Sequence, residues 1–155
     1  MKLTAHFNLG EFEKSAKASA HHIDNHVPEA LIPNLKNLCE QVLEPLRQHF
    51  GVPIILSSGY RCPQLNTLVG GSPTSQHMTG EAADIRIPVS EQDPSHTDME
   101  ILNNWFTWLM DNCDFDQLIK ETSNRRIYWI HVSCRKDRSL NRHRVICFLQ
   151  KGGTR

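Results

Sequence analysis

Between Pro28 and Gly51 the apolar residues Leu31, Leu35, Leu38, Val42 and Leu46 recur at spacings of three and four, the period of a helix that buries one face. Pro28 suits the start of that helix and Gly51 its end. Pro45 predicts a kink in the last turns, because proline lacks the N–H and crowds the carbonyl four residues back. Upstream, residues Leu9 to Ala20 read as one short helix. Ile54 and Ile55, ahead of Ser57-Ser58-Gly59, read as a buried strand opening into a loop. No period runs through Arg61 to Glu81. A long irregular loop of this kind in a compact domain generally carries function. Alternation returns at "AADIRIPV", with Asp84 and Arg86 on one face of a strand and Ile85 and Ile87 on the other.

Thr97 and Glu100 frame a capping box that opens a helix, in which Ile101, Trp105, Trp108 and Leu109 form a core stripe rather than a stacking platform. "FDQLIKE" and "IYWIHVSC", separated by polar residues, predict a hairpin, and "RVICFLQ" a terminal strand. The succession of helix, strand, loop, strand, helix, hairpin and strand predicts an α+β fold with a mainly antiparallel sheet flanked by helices. At 155 residues the chain fits one domain spanning 1–155.

Composition changes this picture little. Apolar residues at 39% and charged residues at 22% are ordinary for a folded globular domain. Seventeen basic and 17 acidic side chains balance, which argues against a general nucleic-acid binder. From Arg135 to Arg155 seven Lys and Arg face the single Asp137, an excess read mainly as a solvated face around the last strand. Five cysteines, odd in number and without a CxxC pair, do not make a disulfide framework. Most read as small buried apolar residues, and whether Cys134 and Cys147 face each other on neighbouring strands is left open by the sequence. No apolar run is long enough for a signal peptide or a membrane span, so synthesis is expected in the cytoplasm, without membrane insertion.

The chemistry begins at "SQHMTGEAADI", residues 75 to 85, where His77 and Asp84 stand seven residues apart. A catalytic zinc takes three protein ligands and keeps one position for water. His131 is the best third candidate, because a strand fixes its ring direction. His6, His21, His22, His26, His49, His96 and His143 fall on termini, helices or polar linkers. Spacing alone leaves two readings open, a metal site or a polar loop entering a buried strand.

The surrounding residues resemble those of the zinc D-alanyl-D-alanine carboxypeptidases and their L-alanyl-D-glutamate endopeptidase relatives, which share a fold with the hedgehog signalling domain. Their Ser-x-His-x-x-Gly-x-Ala-x-Asp motif is matched by Ser75, His77, Gly80, Ala82 and Asp84. Their Ser-Gly-Tyr-Arg block is matched by Ser58, Gly59, Tyr60 and Arg61, and their Trp-x-His block by Trp129 and His131. The likeness covers about residues 7 to 134. It implies one zinc ion held by His77, Asp84 and His131, with peptidoglycan stem peptides or other D-amino-acid peptides as substrate. Arg61 would neutralise charge developing on the carbonyl oxygen. Ser75 would hydrogen-bond the substrate, with Tyr60 and Trp129 as further substrate contacts. A cell-wall substrate would place the action after release from the cytoplasm, as in a phage-type lysis enzyme.

The general base departs from the pattern. Several relatives carry an acid three residues before the last histidine, where this chain has Tyr128, whose phenol with a pKa of about 10 is a poor base at neutrality. Glu121 is the favoured replacement and Glu81 the reserve. Directly across a hairpin from His131, Glu121 would have its Cβ about 5 Å away. A tight turn near Asn124 would carry it roughly 13 Å along the strand instead. Arg125 and Arg126, at the hairpin tip, are candidates to meet substrate carboxylates. The competing reading is a zinc-stabilised module that binds cell wall or protein without catalysis.

Overall fold

The computed structural model describes residues 1–88, 99–122 and 128–147. Thr97, Arg125, Arg126 and the end of the terminal strand beyond Cys147 lie outside them, and with them the expected capping box and hairpin tip.

The expected first helix is two, α1 (Leu9–Glu13) and α2 (Ala16–Ala20). Ser15 divides them, because its side chain accepts a hydrogen bond from the Ala18 N–H and caps the second helix from an extended backbone. The long amphipathic helix forms as a continuous run: a 3-10 turn (Glu29–Leu31), α3 (Ile32–Leu38), a π turn (Cys39–Leu43) and α4 (Glu44–Phe50). Pro45 acts through that π turn. The Glu44 N–H donates to the carbonyl of Cys39, five residues back, and the widened turn accommodates the proline ring at the start of α4. Gly51 ends the run in the left-handed conformation, at φ 65°.

Five strands form one sheet in the order β1-β2-β4-β3-β5, comprising β1 (Ile55–Ser58), β2 (Ala82–Arg86), β3 (Gln117–Thr122), β4 (Tyr128–Ser133) and β5 (Arg144–Cys147). The β1–β2, β2–β4 and β3–β4 pairs are antiparallel, and β5 runs parallel to β3. The sheet is therefore mixed, not mainly antiparallel. The stretch from Arg135 to Arg142 carries the chain back to the start of β3, so its last strand enters in the same direction as β3. That order also keeps Cys134 and Cys147 from adjacent strands, since β3 lies between β4 and β5; all five cysteines are free thiols.

One face of the sheet is apolar. Ala83, Ile85, Leu118, Ile130 and Val132 project from it into the core, where they join Leu35, Leu38, Val42 and Leu46 of the long helix and Leu102, Trp105 and Leu109 of α6 (Met99–Asn112). Trp105 is fully buried, and Trp108 packs at the core margin with its ring stacked on His49 of α4. None of the described helices is long and apolar enough to cross a membrane.

The opposite face carries the polar residues, and the region expected to be one irregular loop arches over its end. That region contains a six-residue helix, α5 (Pro63–Leu68), and a 3-10 turn (Gln76–Thr79). Buried Asn25 bonds this arch to the body of the protein: its Nδ2 donates to the carbonyls of Glu13 and Tyr60, and its Oδ1 accepts from the Cys62 N–H. Gly59 lets the arch pass against α1, since a Cβ there would lie 2.6 Å from Phe12 Cα and 2.8 Å from its carbonyl oxygen.

Asp116, fully buried at the start of β3, ties down the returning segment. Its carboxylate accepts from the Arg142 backbone N–H (2.9 Å), Arg142 Nε (3.0 Å) and Nη2 (2.9 Å), and Gln76 Nε2 (2.9 Å). Burial alone pushes the carboxyl up, but the hydrogen bonds from Arg142, that from Gln76 and the nearby Arg135 charge outweigh it and hold it well below the usual carboxylate range.

Gly59→Ala is expected to destabilise the fold by about 1–3 kcal/mol, the scale of overpacking against backbone that cannot move aside, as read by urea unfolding. A depressed carboxyl stabilises the folded state above its unfolded pKa of about 4 and loses that contribution as the pH falls toward the folded value. Asp116→Asn should accordingly lose about 2–3 kcal/mol at pH 7. The difference from the parent should shrink below about pH 4, as followed by thermal melting across pH.

Candidate metal centre

The polar face of the sheet places side chains in rows across the strands. In the β2–β4 register Asp84 lies opposite His131, and in the β3–β4 register Ile119 lies opposite His131 on its other side. Directly opposed residues share a face, so strand pairing alone brings Asp84 and His131 together. Their Oδ1 and Nδ1 atoms are 2.9 Å apart.

His77 reaches the same place from the arch. Ser75 caps the 3-10 turn by accepting the His77 N–H, and Gly80 closes the turn in the left-handed conformation, at φ 73°. The ring is 2% exposed, so its orientation is set by packing and by one hydrogen bond, from Nδ1 to the Gly59 carbonyl at 2.6 Å. With Nδ1 donating to that carbonyl, Nε2 is the nitrogen that faces Asp84 Oδ1, at 3.5 Å, and the one open to a metal. A bulge in β1 sets up that carbonyl: Leu56 pairs with Ile85 and Ser58 with Asp84, so Ser57 is the extra residue and the chain turns toward His77 at Gly59.

His77, Asp84 and His131 thus offer three ligand atoms within 4.8 Å of one another. Ligand atoms around one tetrahedral zinc, with bonds of about 2.1 Å, lie roughly 3.4 Å apart. The observed separations of 2.9 and 3.5 Å bracket that value, and two imidazoles with one carboxylate are a donor set suited to zinc. These residues fit the ion. Burial pushes the Asp84 carboxyl up, but hydrogen bonds with His131 and His77 overcome it and hold it well below the usual carboxylate range, so the group is anionic, as a ligand must be.

The three residues open onto a cavity of about 560 Å³. Of the other residues singled out by sequence, Arg61, Ser75, Glu121 and Trp129 line it. Arg61 Nη2 donates to Ser75 Oγ at 3.2 Å, while its Nε is buried without a hydrogen-bond partner among the described residues. Burial lowers the Arg61 pKa, and the Asp84 charge works against that shift.

Glu121 pairs with Trp129, a register between the two that the sequence left open. It sits two residues along β3 from Ile119, about 6.6 Å at the strand rise, on the same face as His131 and diagonal to it. Glu81, the reserve candidate, is engaged elsewhere: its Oε2 accepts the Lys136 N–H and its Oε1 the Thr79 hydroxyl. Tyr60 does not line this cavity. It is 4% exposed and packs in the core.

Gln76, Gln117, Arg135 and Arg142 also line the cavity and went unrecognised in the sequence. Arg135 and Arg142 belong to the basic segment read as a solvated face. Their common partner Asp116 lies 26 residues before Arg142, a separation with no periodic signature.

A family model described as Peptidase M15 matches residues 5–104, which takes in Arg61, Ser75, His77 and Asp84. No curated protein matches the chain. The matched span ends before His131, the residue that the β2–β4 pairing sets beside Asp84. With that span covering well over half of its length, the chain belongs to the peptidase M15 family of zinc metallopeptidases.

Proposed function

We propose that the chain is a zinc-dependent peptidase that hydrolyses a peptide bond next to a D-amino acid in the stem peptides of bacterial cell wall. The bond is either D-Ala-D-Ala at the stem end or L-Ala-D-Glu within it. The observation that carries this reading is the convergence of His77, Asp84 and His131 in one cavity that Arg61 and Glu121 also line.

Zinc bound by the three residues would supply Lewis acidity at the scissile carbonyl and lower the pKa of a water to about 7. The protein's own groups do the rest. Glu121, one diagonal step from His131, takes the proton of the attacking water and returns it to the leaving amine. Arg61, buried at Nε and aligned by Ser75, places fixed positive charge where the carbonyl oxygen becomes anionic. Trp129 flanks Glu121 on the adjacent strand and gives the substrate an apolar wall. His77 keeps its orientation through the Gly59 carbonyl, which accepts from Nδ1 and leaves Nε2 for the ion.

The test is hydrolysis of purified cell wall and of short D-amino-acid peptides by the zinc-loaded wild type and by Glu121→Gln. Turnover by the wild type with a loss of about 100- to 10,000-fold in the variant is expected. Equal turnover in both removes Glu121 from the mechanism, and none in either favours a non-catalytic binding module. Arg61→Ala should lower kcat by about 100-fold or more, the effect of losing one oxyanion donor, with KM changed less.

A further inference from the structure

The cavity has a second polar end. Along β3, Gln117, Ile119 and Glu121 all line it, with Ile119 level with His131. Glu121 and Trp129 therefore lie to one side of the ligand row, and Gln117 to the other. Beyond Gln117 stand Arg135 and Arg142, which also line the cavity. They are fixed from behind by fully buried Asp116, with Arg142 bonded through Nε at 3.0 Å and Nη2 at 2.9 Å, and Arg135 Nε 3.4 Å from the same carboxylate.

One carboxylate faces two guanidinium groups, so the pair keeps a net positive charge. Both side chains are partly open, Arg135 at 32% and Arg142 at 49% exposed. Among the described residues, Arg142 Nη1 and both Nη atoms of Arg135 donate to no protein group. Gln76 adds to this wall: its Nε2 is spent on Asp116, and its buried Oε1 has no partner among the described residues. Across the cavity as a whole, Arg61, Arg135 and Arg142 face Asp84, Glu121 and Asp116, so a divalent ion adds its two charges to a balanced set.

Resting on the peptidase reading above, we infer that Arg135 and Arg142, braced by Asp116, form a subsite for a carboxylate of the substrate on the side of the metal ligands away from Glu121. The span from Ile119 to Gln117 is about 6.6 Å at the strand rise. An extended peptide advances about 3.5 Å per residue, so a carboxylate one or two residues from the scissile bond reaches this wall. Two carboxylates of a stem peptide meet that condition, the C-terminal one and that of the D-Glu residue. A guanidinium presents paired donors that match a carboxylate, and Asp116 holds Arg142 by Nε and Nη2 so that its remaining edge faces the cavity.

The experiment uses an N-acetylated stem pentapeptide in four forms: both carboxylates free, the C-terminus amidated, the D-Glu carboxylate amidated, and both amidated. KM is measured with the zinc-loaded wild type and Arg135→Gln, and Kd by calorimetry on a Glu121→Gln background with and without Arg135→Gln. Losing the matching carboxylate, or Arg135, should weaken binding about 10-fold, the scale of one charge-assisted hydrogen bond, and the two losses should not add. Whichever amidation reproduces the effect identifies the carboxylate. Arg142→Lys, which keeps a positive charge against Asp116, serves as the second variant should Arg135→Gln melt at a lower temperature. Equal affinity for all four forms in the wild type, or an equal loss for all four in Arg135→Gln, overturns the inference while leaving the peptidase reading intact. Neither cleavage nor binding of any form by the wild type overturns the peptidase reading itself.

Discussion

The pairing of β2 with β4 sets Asp84 across from His131, and the chemistry of the cavity follows from that register. Because side chains alternate along a strand, a slip of one residue would send Asp84 into the core and bring Ala83 or Ile85 to the polar face. The apolar face prevents the slip: Ala83, Ile85, Ile130 and Val132 are each fully buried. Hydrophobic packing on one side of the sheet thus fixes the positions of two metal-ligand candidates on the other. The third, His77, comes from a different element and depends on the Gly59 carbonyl, which the β1 bulge and the missing Cβ of Gly59 bring within 2.6 Å of Nδ1.

Around this centre charge is distributed by burial. Asp84 lines the cavity and Asp116 lies fully buried behind its wall; both are anionic carboxylates, but they do different work. Asp84 faces two imidazoles, a donor set suited to sharing a metal ion with it. Asp116 faces guanidinium groups, which do not deprotonate, so its contacts are permanent ion pairs that hold the segment after β4 against the start of β3. Arg61 is tied instead to the Ser75 hydroxyl, and its buried Nε has no hydrogen-bond partner among the described residues. On the proposed reading, Arg61 serves the reacting carbonyl and the Arg135–Arg142 pair a fixed anion.

The elements with strong local periods were legible in the sequence. The spacing of Leu31, Leu35, Leu38, Val42 and Leu46 specified the long helix, and the alternation around Asp84 and Ile85 specified β2. Local competition was harder to read: Ser15 split a short helix by offering its own cap, and the kink expected at Pro45 takes the form of a π turn before it. Long-range pairing was not legible at all. The parallel entry of β5 depends on where the segment from Arg135 to Arg142 lands, and the placement of Glu121 opposite Trp129 depends on hairpin register, which neither composition nor period encodes. In the site, the order of Ser75, His77, Gly80, Ala82 and Asp84 carried a recognisable pattern because each serves one compact turn and strand. Arg135, Arg142, Gln76 and Asp116 carried none, since contacts between distant segments assemble them.

The account stands on three side chains sharing a single cation. X-ray absorption at the zinc edge, combined with elemental analysis of protein loaded with zinc and dialysed, tests this most directly. The account predicts one zinc per chain, bound by two imidazole nitrogens and a carboxylate oxygen, with the carboxylate signal and tight retention both lost in Asp84→Ala. Zinc absent after dialysis, or held by cysteine sulfur, would contradict it.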